Sequence, residues 1–228
     1  MKLIEKFKKQ LPNEYRENGF ITTKQLNSIG IKNYEIKRLC DYGELIKLRK
    51  SYYKLRCSKK INYENLILSL YPEAVFCLRY VLWLRGLRKR KVYDVAIPRN
   101  TSYCKKAKIE GIDLVINFHY IPGNIRDPNL GFRTQNEVPY FHIGRTMCDM
   151  FKYQQSMGTT DRWLRDLCFE FHGYIGDEKT DKVIKKIKLY SENMHMTNEA
   201  KRKLDRMLIK RLEKKKAPTK CRYTSPKR

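Results

Sequence analysis

An α+β fold is predicted from three features of this 228-residue sequence. Apolar residues recur at helical spacing in some stretches and with period two in others, so both element types are present. Between residues 20 and 55 the order is a short strand, two short helices and a hairpin. Beyond residue 144 the apolar spacing is again helical, and the polar faces become basic. The 20–55 order is that of a winged helix-turn-helix. The predicted organisation is a winged unit over 1–58, an α/β domain over 62–192, and a basic helix with a tail over 197–228.

Residues 2–18 form an amphipathic pattern broken near Pro12, with Leu3, Ile4, Phe7 and Leu11 on one face. Phe20-Ile21 is long enough for one strand neighbour. Thr22 or Thr23 offers a hydroxyl cap to a helix that turns Leu26 and Ile29 inward, and Gly30 stops it. Asn33 is expected to cap the next helix, where Ile36, Leu39 and Cys40 share a face. Tyr34, Arg38 and Asp41 then point away from that face, with Lys37 on its flank, and Gly43 supplies the left-handed stop. Leu45–Arg49 and Tyr52–Leu55 bracket a Lys50-Ser51 turn, making a hairpin with basic flanks. Cys57-Ser-Lys-Lys60 is a polar joint.

Glu64–Tyr71 reads as a short helix with Leu66, Ile67 and Leu70 inward, ended by Pro72. Ala74–Cys77 continues into Leu78–Leu84, a stretch apolar on nearly every side and therefore buried. Val92–Ile97 alternates as a strand ended by Pro98, and Asp113–Phe118 is a second strand. Tyr120–Asp127 is a loop, and Leu130–Thr134 with Val138–Ile143 forms a further hairpin. A helix follows from Gly144 with Met147, Cys148 and Phe151 inward. Thr159-Thr-Asp161 caps another that carries Trp163, Leu164, Leu167, Cys168 and Phe171. Val183, Ile184, Ile187 and Tyr190 mark one more. Thr197 or Asn198 caps the last, which turns Ala200, Leu204, Met207, Leu208 and Leu212 inward. The tail from Ala217 is expected to be disordered.

Charge narrows the partner. Fifty Lys and Arg against 24 Asp and Glu give a net charge of +26. Residues 1–60 carry 16 basic and 6 acidic side chains, 61–150 carry 13 and 8, and 151–228 carry 21 and 10. Both ends are thus more basic than the middle, which points to two polyanion-facing segments, with nucleic acid the leading partner and anionic membrane the second. The seven cysteines include no C-x-x-C pair, and Cys40, Cys148 and Cys168 fall on apolar helix faces. They read as reduced core residues of a cytoplasmic protein. The N-terminus is too polar for a signal peptide, and no apolar run is long enough to span a membrane. No cofactor or metal is expected.

A short helix with a buried back and an exposed tyrosine and cations suits a major groove. Tyr34, Lys37 and Arg38 are the candidates for base edges. Thr23, Lys24, Asn33, Lys47, Arg49, Lys50, Tyr52 and Lys54 complete the candidate DNA-binding set, with the lysines and Arg49 on phosphate. The expected ligand is double-stranded DNA. A winged unit can instead dock a protein, and that reading stays open.

The winged unit resembles the N-terminal domain of the AbiEi family, antitoxins of abortive-infection type IV toxin–antitoxin systems that also repress their own promoter. The likeness continues through Tyr80-Val-Leu-Trp-Leu-Arg-Gly-Leu87, Ile97-Pro-Arg-Asn-Thr and Leu130-Gly-Phe-Arg-Thr134. It is closest at Arg145-Thr-Met-Cys-Asp-Met-Phe-Lys152, followed by the Gly158-Thr-Thr-Asp connection, and covers residues 3–190. This chain departs from the family pattern at Ser51, where a wing glycine is usual, at Tyr80-Val81 and at Gly144. The resemblance implies an α/β antitoxin domain carrying the motif Arg145, Thr146, Asp149 and Lys152. It also implies binding to promoter inverted repeats and opposition to an AbiEii-type nucleotidyltransferase toxin without a stable complex. It implies no enzymatic activity.

A metal-dependent nuclease is the enzyme alternative. Asp94, Glu110 and Asp113 lie near strands, with Lys105, Lys106 and Lys108 close in sequence, but Asp113-Leu-Val-Ile-Asn117 lacks the lysine such a site needs. No phosphate-loop, nucleophile-elbow or dinucleotide motif occurs. Arg145 and Asp149, four apart, read as a helical ion pair rather than a catalytic one. The Lys and Arg face of 201–216 has few acids beside it in sequence and is a second candidate for phosphate.

Overall fold

In the computed structural model, the described residues are 2–98, 106–121, 124–175 and 180–216. The tail from Ala217, Lys105, Cys104, Cys221 and the Arg99-Asn-Thr101 part of the central motif lie outside them. The fold is α+β, with one three-stranded and one six-stranded sheet. Two compact units interleave in sequence: residues 1–75, 92–123 and 135–138 form the first, and 76–91, 124–134 and 139–228 the second.

The first unit begins with α1 (Lys2–Gln10), α2 (Asn13–Asn18), β1 (Phe20–Thr22), α3 (Thr23–Ser28), α4 (Asn33–Asp41), β2 (Leu45–Arg49) and β3 (Tyr52–Leu55). The sheet runs β1-β3-β2 with antiparallel neighbours, placing Ile21 and Lys47 on either side of Tyr53. This is the winged-helix arrangement expected. Its core is Phe7, Leu11, Ile21, Leu26, Ile31, Ile36, Leu39, Leu45 and Leu55, all buried. These are the inward positions of the helical and period-two patterns, so burial of one face per element assembles the unit. Thr22 is the cap of α3: its hydroxyl accepts from Gln25 N–H, and the Gln25 side chain accepts from Thr22 N–H at 2.8 Å.

Asn33 does not cap α4 but is its first residue. Lys32 occupies the cap position, and the Glu35 carboxylate accepts its backbone N–H at 2.7 Å. Glu35 also meets Lys6 Nζ at 2.9 Å, which ties α1 to the start of α4. The Lys32 N–H and the Lys6 ammonium together hold the Glu35 carboxyl below its ordinary pKa.

The same unit continues with α5 (Tyr63–Leu70), capped by Asn62, and strands β5 (Tyr93–Pro98), β6 (Lys106–Ile109) and β7 (Leu114–Ile121). Strand β5 is parallel to β7, and β6 is antiparallel to it. Two expectations change here. Strand β6 forms where no strand is expected, and β7 continues to Ile121, through the start of the stretch expected to loop from Tyr120. His119-Tyr-Ile121 pairs with Ala96-Ile-Pro98, and that ladder overrides the nearby Pro and Gly.

Strand β4 (Val75–Phe76) and helix α6 (Leu78–Leu84) divide the apolar run 74–84, with Leu78 at φ 47° as the corner between them. In the second unit Phe76 pairs in parallel with Tyr140 of β9 (Val138–Phe141), and β8 (Phe132–Gln135) lies beside β9. The helices are α6, α7 (Ile143–Lys152), α8 (Asp161–Tyr174), α9 (Thr180–Asn193), α10 (Asn198–Leu204) and α11 (Lys210–Lys216). Helix α7 is the core of this unit, since every residue from Ile143 to Phe151 is buried. Thr160 and Thr197 cap α8 and α10. A π-helical segment, Asp205–Ile209, joins α10 to α11. Its wider turn slips the apolar register, so Ile209 is buried and Met207, expected inward, is half-exposed.

Candidate nucleic-acid interface

Helix α4 presents the side chains expected of it. Ile36 and Leu39 face the core, while Tyr34, Lys37 and Arg38 are exposed, Tyr34 at 61%. Arg38 Nη2 donates to the Tyr42 hydroxyl at 3.1 Å, with its guanidinium 5.9 Å from the Tyr42 ring centre. That contact steadies the cation without removing it from solvent. Asn33 is exposed at the start of the same helix.

The wing is β2, the Lys50-Ser51 turn and β3. A bulge at Leu48 buries that residue and leaves Lys47 and Arg49 exposed on either side. Ser51 sits at φ 67°, the left-handed region where glycine is favoured. Ser51 C=O accepts from Thr23 N–H at 2.9 Å, so the wing tip is tied to the first turn of α3. Thr23 is half-buried there, and Lys24 is exposed. Lys47 and Lys50 are exposed, and Lys54 is half-buried in the middle of the sheet. Arg49 and Tyr52 have intramolecular work: Arg49 Nη1 donates to the Tyr71 hydroxyl at 2.7 Å, and the Tyr52 hydroxyl donates to Ser69 C=O at 2.8 Å. These bonds brace the wing against α5 and the residue after it.

Two cations weighed in the sequence only beside the nuclease acids line this surface. Lys106 and Lys108 project from β6 and, with Lys47, Arg49 and Lys50, line a groove of about 540 Å³. Tyr71 and Phe118 form its floor, edge to face with ring centres 4.8 Å apart. The Lys106-Ala-Lys-Ile109 alternation was the available signal. Its lone buried isoleucine is too little apolar content to distinguish it from loop.

The acids of the nuclease alternative do not converge. Asp94 is fully buried on β5, with His119 Nε2 of β7 at 3.4 Å from its carboxylate. Glu110 and Asp113 are exposed in the turn after β6. Among the described residues no group of three His, Cys, Asp or Glu side chains could hold a metal.

Arg145, Thr146 and Asp149 of the motif lie inside the second unit, and Lys152 is half-buried. Arg145 is 3% exposed and Asp149 1%, and their side chains meet at 3.1 Å. Arg145 also donates to Leu130 C=O and lies over the Phe141 ring at 4.2 Å. Lys152 donates to Met194 C=O, and burial lowers its pKa. Gly131, at φ 86°, admits this cluster: a Cβ there would stand 2.8 Å from Arg145 Cβ. Of the four, only Lys152 is partly exposed, and its ammonium is taken up by Met194 C=O. The arrangement is a packing cluster.

The basic face of the last helices is partly neutralised through space. Lys203 meets Asp161 at 3.2 Å and Glu199 at 3.5 Å, and Lys210 meets Asp205 at 3.5 Å. Arg202, Arg206 and Arg211 are exposed, with Arg211 over the Phe169 ring at 5.1 Å. The side chains of Lys214–Lys216 lie outside the described residues.

No family model matches the chain, and no curated protein matches it. Among solved structures, it is similar in fold to the crystal structure of RV2827C protein from Mycobacterium tuberculosis. The TM-score is 0.51 at 12% identity, covering 81% of this chain and 75% of that one. At that identity the likeness concerns the fold alone. Among the described residues no helix is long and apolar enough to cross a membrane.

Proposed function

We propose that this chain is a cytoplasmic, sequence-specific DNA-binding protein of the AbiEi type, which represses its own promoter by binding inverted repeats. The observation that carries this reading is the pairing of an exposed Tyr34-Lys37-Arg38 face on α4 with a braced, lysine-bearing wing. A short helix backed by a core can enter a major groove, where an arginine reads guanine and a tyrosine contacts base or sugar. Lys24, Lys47, Lys50 and Lys54 then grip the flanking phosphates. Gel-shift titration on its own upstream DNA and on a scrambled duplex tests this. Arg38→Ala is expected to reduce discrimination between the two roughly ten- to hundred-fold. Lys50→Ala is expected to weaken both duplexes equally. Equal losses on both DNAs for both variants remove Arg38 from base reading.

As part of the same proposal, the second unit opposes an AbiEii-type nucleotidyltransferase toxin. The support is the resemblance over Arg145–Lys152. Because Arg145, Thr146 and Asp149 are buried, contact with a toxin or its target uses other residues, and those three act by holding the unit together. Co-expression with the product of an adjacent toxin gene, scored as restored growth, tests this part. Unrelieved growth arrest would remove the antitoxin role.

A further inference from the structure

We propose that the groove between β2 and β6 is a phosphodiester-binding site, so that the DNA interface extends past the wing onto Lys106 and Lys108. The proposal rests on the reading that the wing faces DNA. It adds a segment, residues 106–109, that no winged helix-turn-helix requires.

Charge is the first support. Among the described residues, Lys47, Arg49, Lys50, Lys106 and Lys108 line the groove with one acid, Glu110. Five cations brought together on two strands and the wing turn repel one another, and a polyanion relieves that repulsion. The second support is that the walls are fixed. Gly111, at φ 72° in the turn leaving β6, stands so close to β2 that an added Cβ would lie 3.4 Å from Ile46 Cγ2 and from Lys47 C=O. Arg49 is held from the floor by its bond to the Tyr71 hydroxyl. Cations whose spacing is set before binding lose less freedom on binding.

The floor selects among phosphate ligands. Tyr71 and Phe118 are 4% and 5% exposed, so neither ring face is free to stack on a base. A nucleotide or single strand would gain little there, because sequence-tolerant binding of unstacked bases depends on such platforms. A duplex offers its backbone and keeps its bases stacked. Continuity points the same way: Lys47, Arg49 and Lys50 line the groove and also form the wing edge, so one strand can run from wing tip to β6.

The test is the salt dependence of duplex binding by the full chain, measured by fluorescence anisotropy. Lys106→Ala/Lys108→Ala alters two exposed side chains and leaves the core intact. Each phosphate contact adds about 0.9 to the slope of log affinity against log salt, so the slope should fall by about 1.8. Lys106→Arg/Lys108→Arg should keep the wild-type slope. Preference for the upstream sequence over scrambled DNA should be unchanged in both. An unaltered slope in the alanine variant, with Arg38→Ala still costing discrimination, removes the groove and leaves the helix reading standing. A reduced slope with no effect of Arg38→Ala keeps the groove and removes the helix reading. Failure of the wild type to bind any duplex removes both. Inorganic triphosphate is the free-anion arm: saturable micromolar binding lost in the alanine variant would assign the groove to a free ligand and overturn the backbone reading.

Discussion

Removing the Asp149 carboxylate should cost the second unit a large part of its stability. Arg145 is 3% exposed, and its Nε lies 3.1 Å from Asp149 Oδ2. Asp149→Leu leaves a cation in an apolar setting without this counter-charge. The Phe141 ring at 4.2 Å and one carbonyl bond from Leu130 cannot replace it. Breaking a buried pair from one side costs about 3–5 kcal/mol. Against a typical domain stability of about 5–15 kcal/mol, that is roughly a fifth or more. Replacing both partners, as Arg145→Met/Asp149→Leu, should restore most of the loss, because neither charge is then stranded. Both tryptophans, Trp83 and Trp163, lie in the second unit, so urea unfolding followed by tryptophan fluorescence reports on it. A single variant within about 1 kcal/mol of wild type would refute this reasoning, since a desolvated guanidinium cannot be that cheap. So would a double variant as unstable as the sum of the two single changes.

Ser51→Gly should stabilise the first unit, because an L residue at φ 67° carries roughly 1 kcal/mol of strain that glycine lacks. Part of that gain is offset by the greater freedom of unfolded glycine, so a rise of roughly 0.5 kcal/mol in urea unfolding followed by circular dichroism is expected. A loss of stability would show that the serine side chain has a compensating role. The His142 imidazole should make stability pH-dependent. Burial, then the nearby Lys186, Arg133 and Arg85, lower its pKa from 6.5 to about 4. The unfolded chain therefore binds the proton more readily, and stability should fall as pH drops from 6.5 towards 4. His142 Nδ1 accepts the Gly144 N–H at 3.1 Å, so protonation there also removes the α7 cap. His142→Asn, which keeps an acceptor but does not titrate, should flatten the dependence, and an unchanged slope would assign it elsewhere.

The winged unit was legible because its helix caps, apolar spacing and hairpin all agree locally. Leu26, Ile36, Leu39, Leu45 and Leu55 fall on the inward faces their periodicity gives them. Asn33 was misjudged because capping preference ignores competition: Glu35, two residues on, bonds the Lys32 N–H and takes a lysine from α1 as well. Strand β6 was hidden because a basic edge strand has hardly any apolar alternation to read. The groove at the wing was hidden with it, since Lys47 and Lys108 are far apart in sequence and meet only through folding. The Arg145–Asp149 spacing gave the ion pair, but not its burial. An isolated helix with that pair would hold it in solvent, and only the surrounding sheet and helices exclude water from it. The slip at Met207 has a similar origin, because a single π turn leaves no mark in a pattern read at 3.6 residues per turn.

Selection of bound sequences from a random duplex pool, followed by titration of the enriched site, tests most directly whether α4 reads DNA. If it does, one inverted-repeat sequence is enriched and bound at least about a thousand-fold tighter than random duplex. Tyr34→Ala/Arg38→Ala should then remove most of that preference while leaving the salt-dependent binding common to all duplexes. Enrichment of no sequence, or a preference indifferent to both substitutions, would contradict the assignment of α4 as the reading helix.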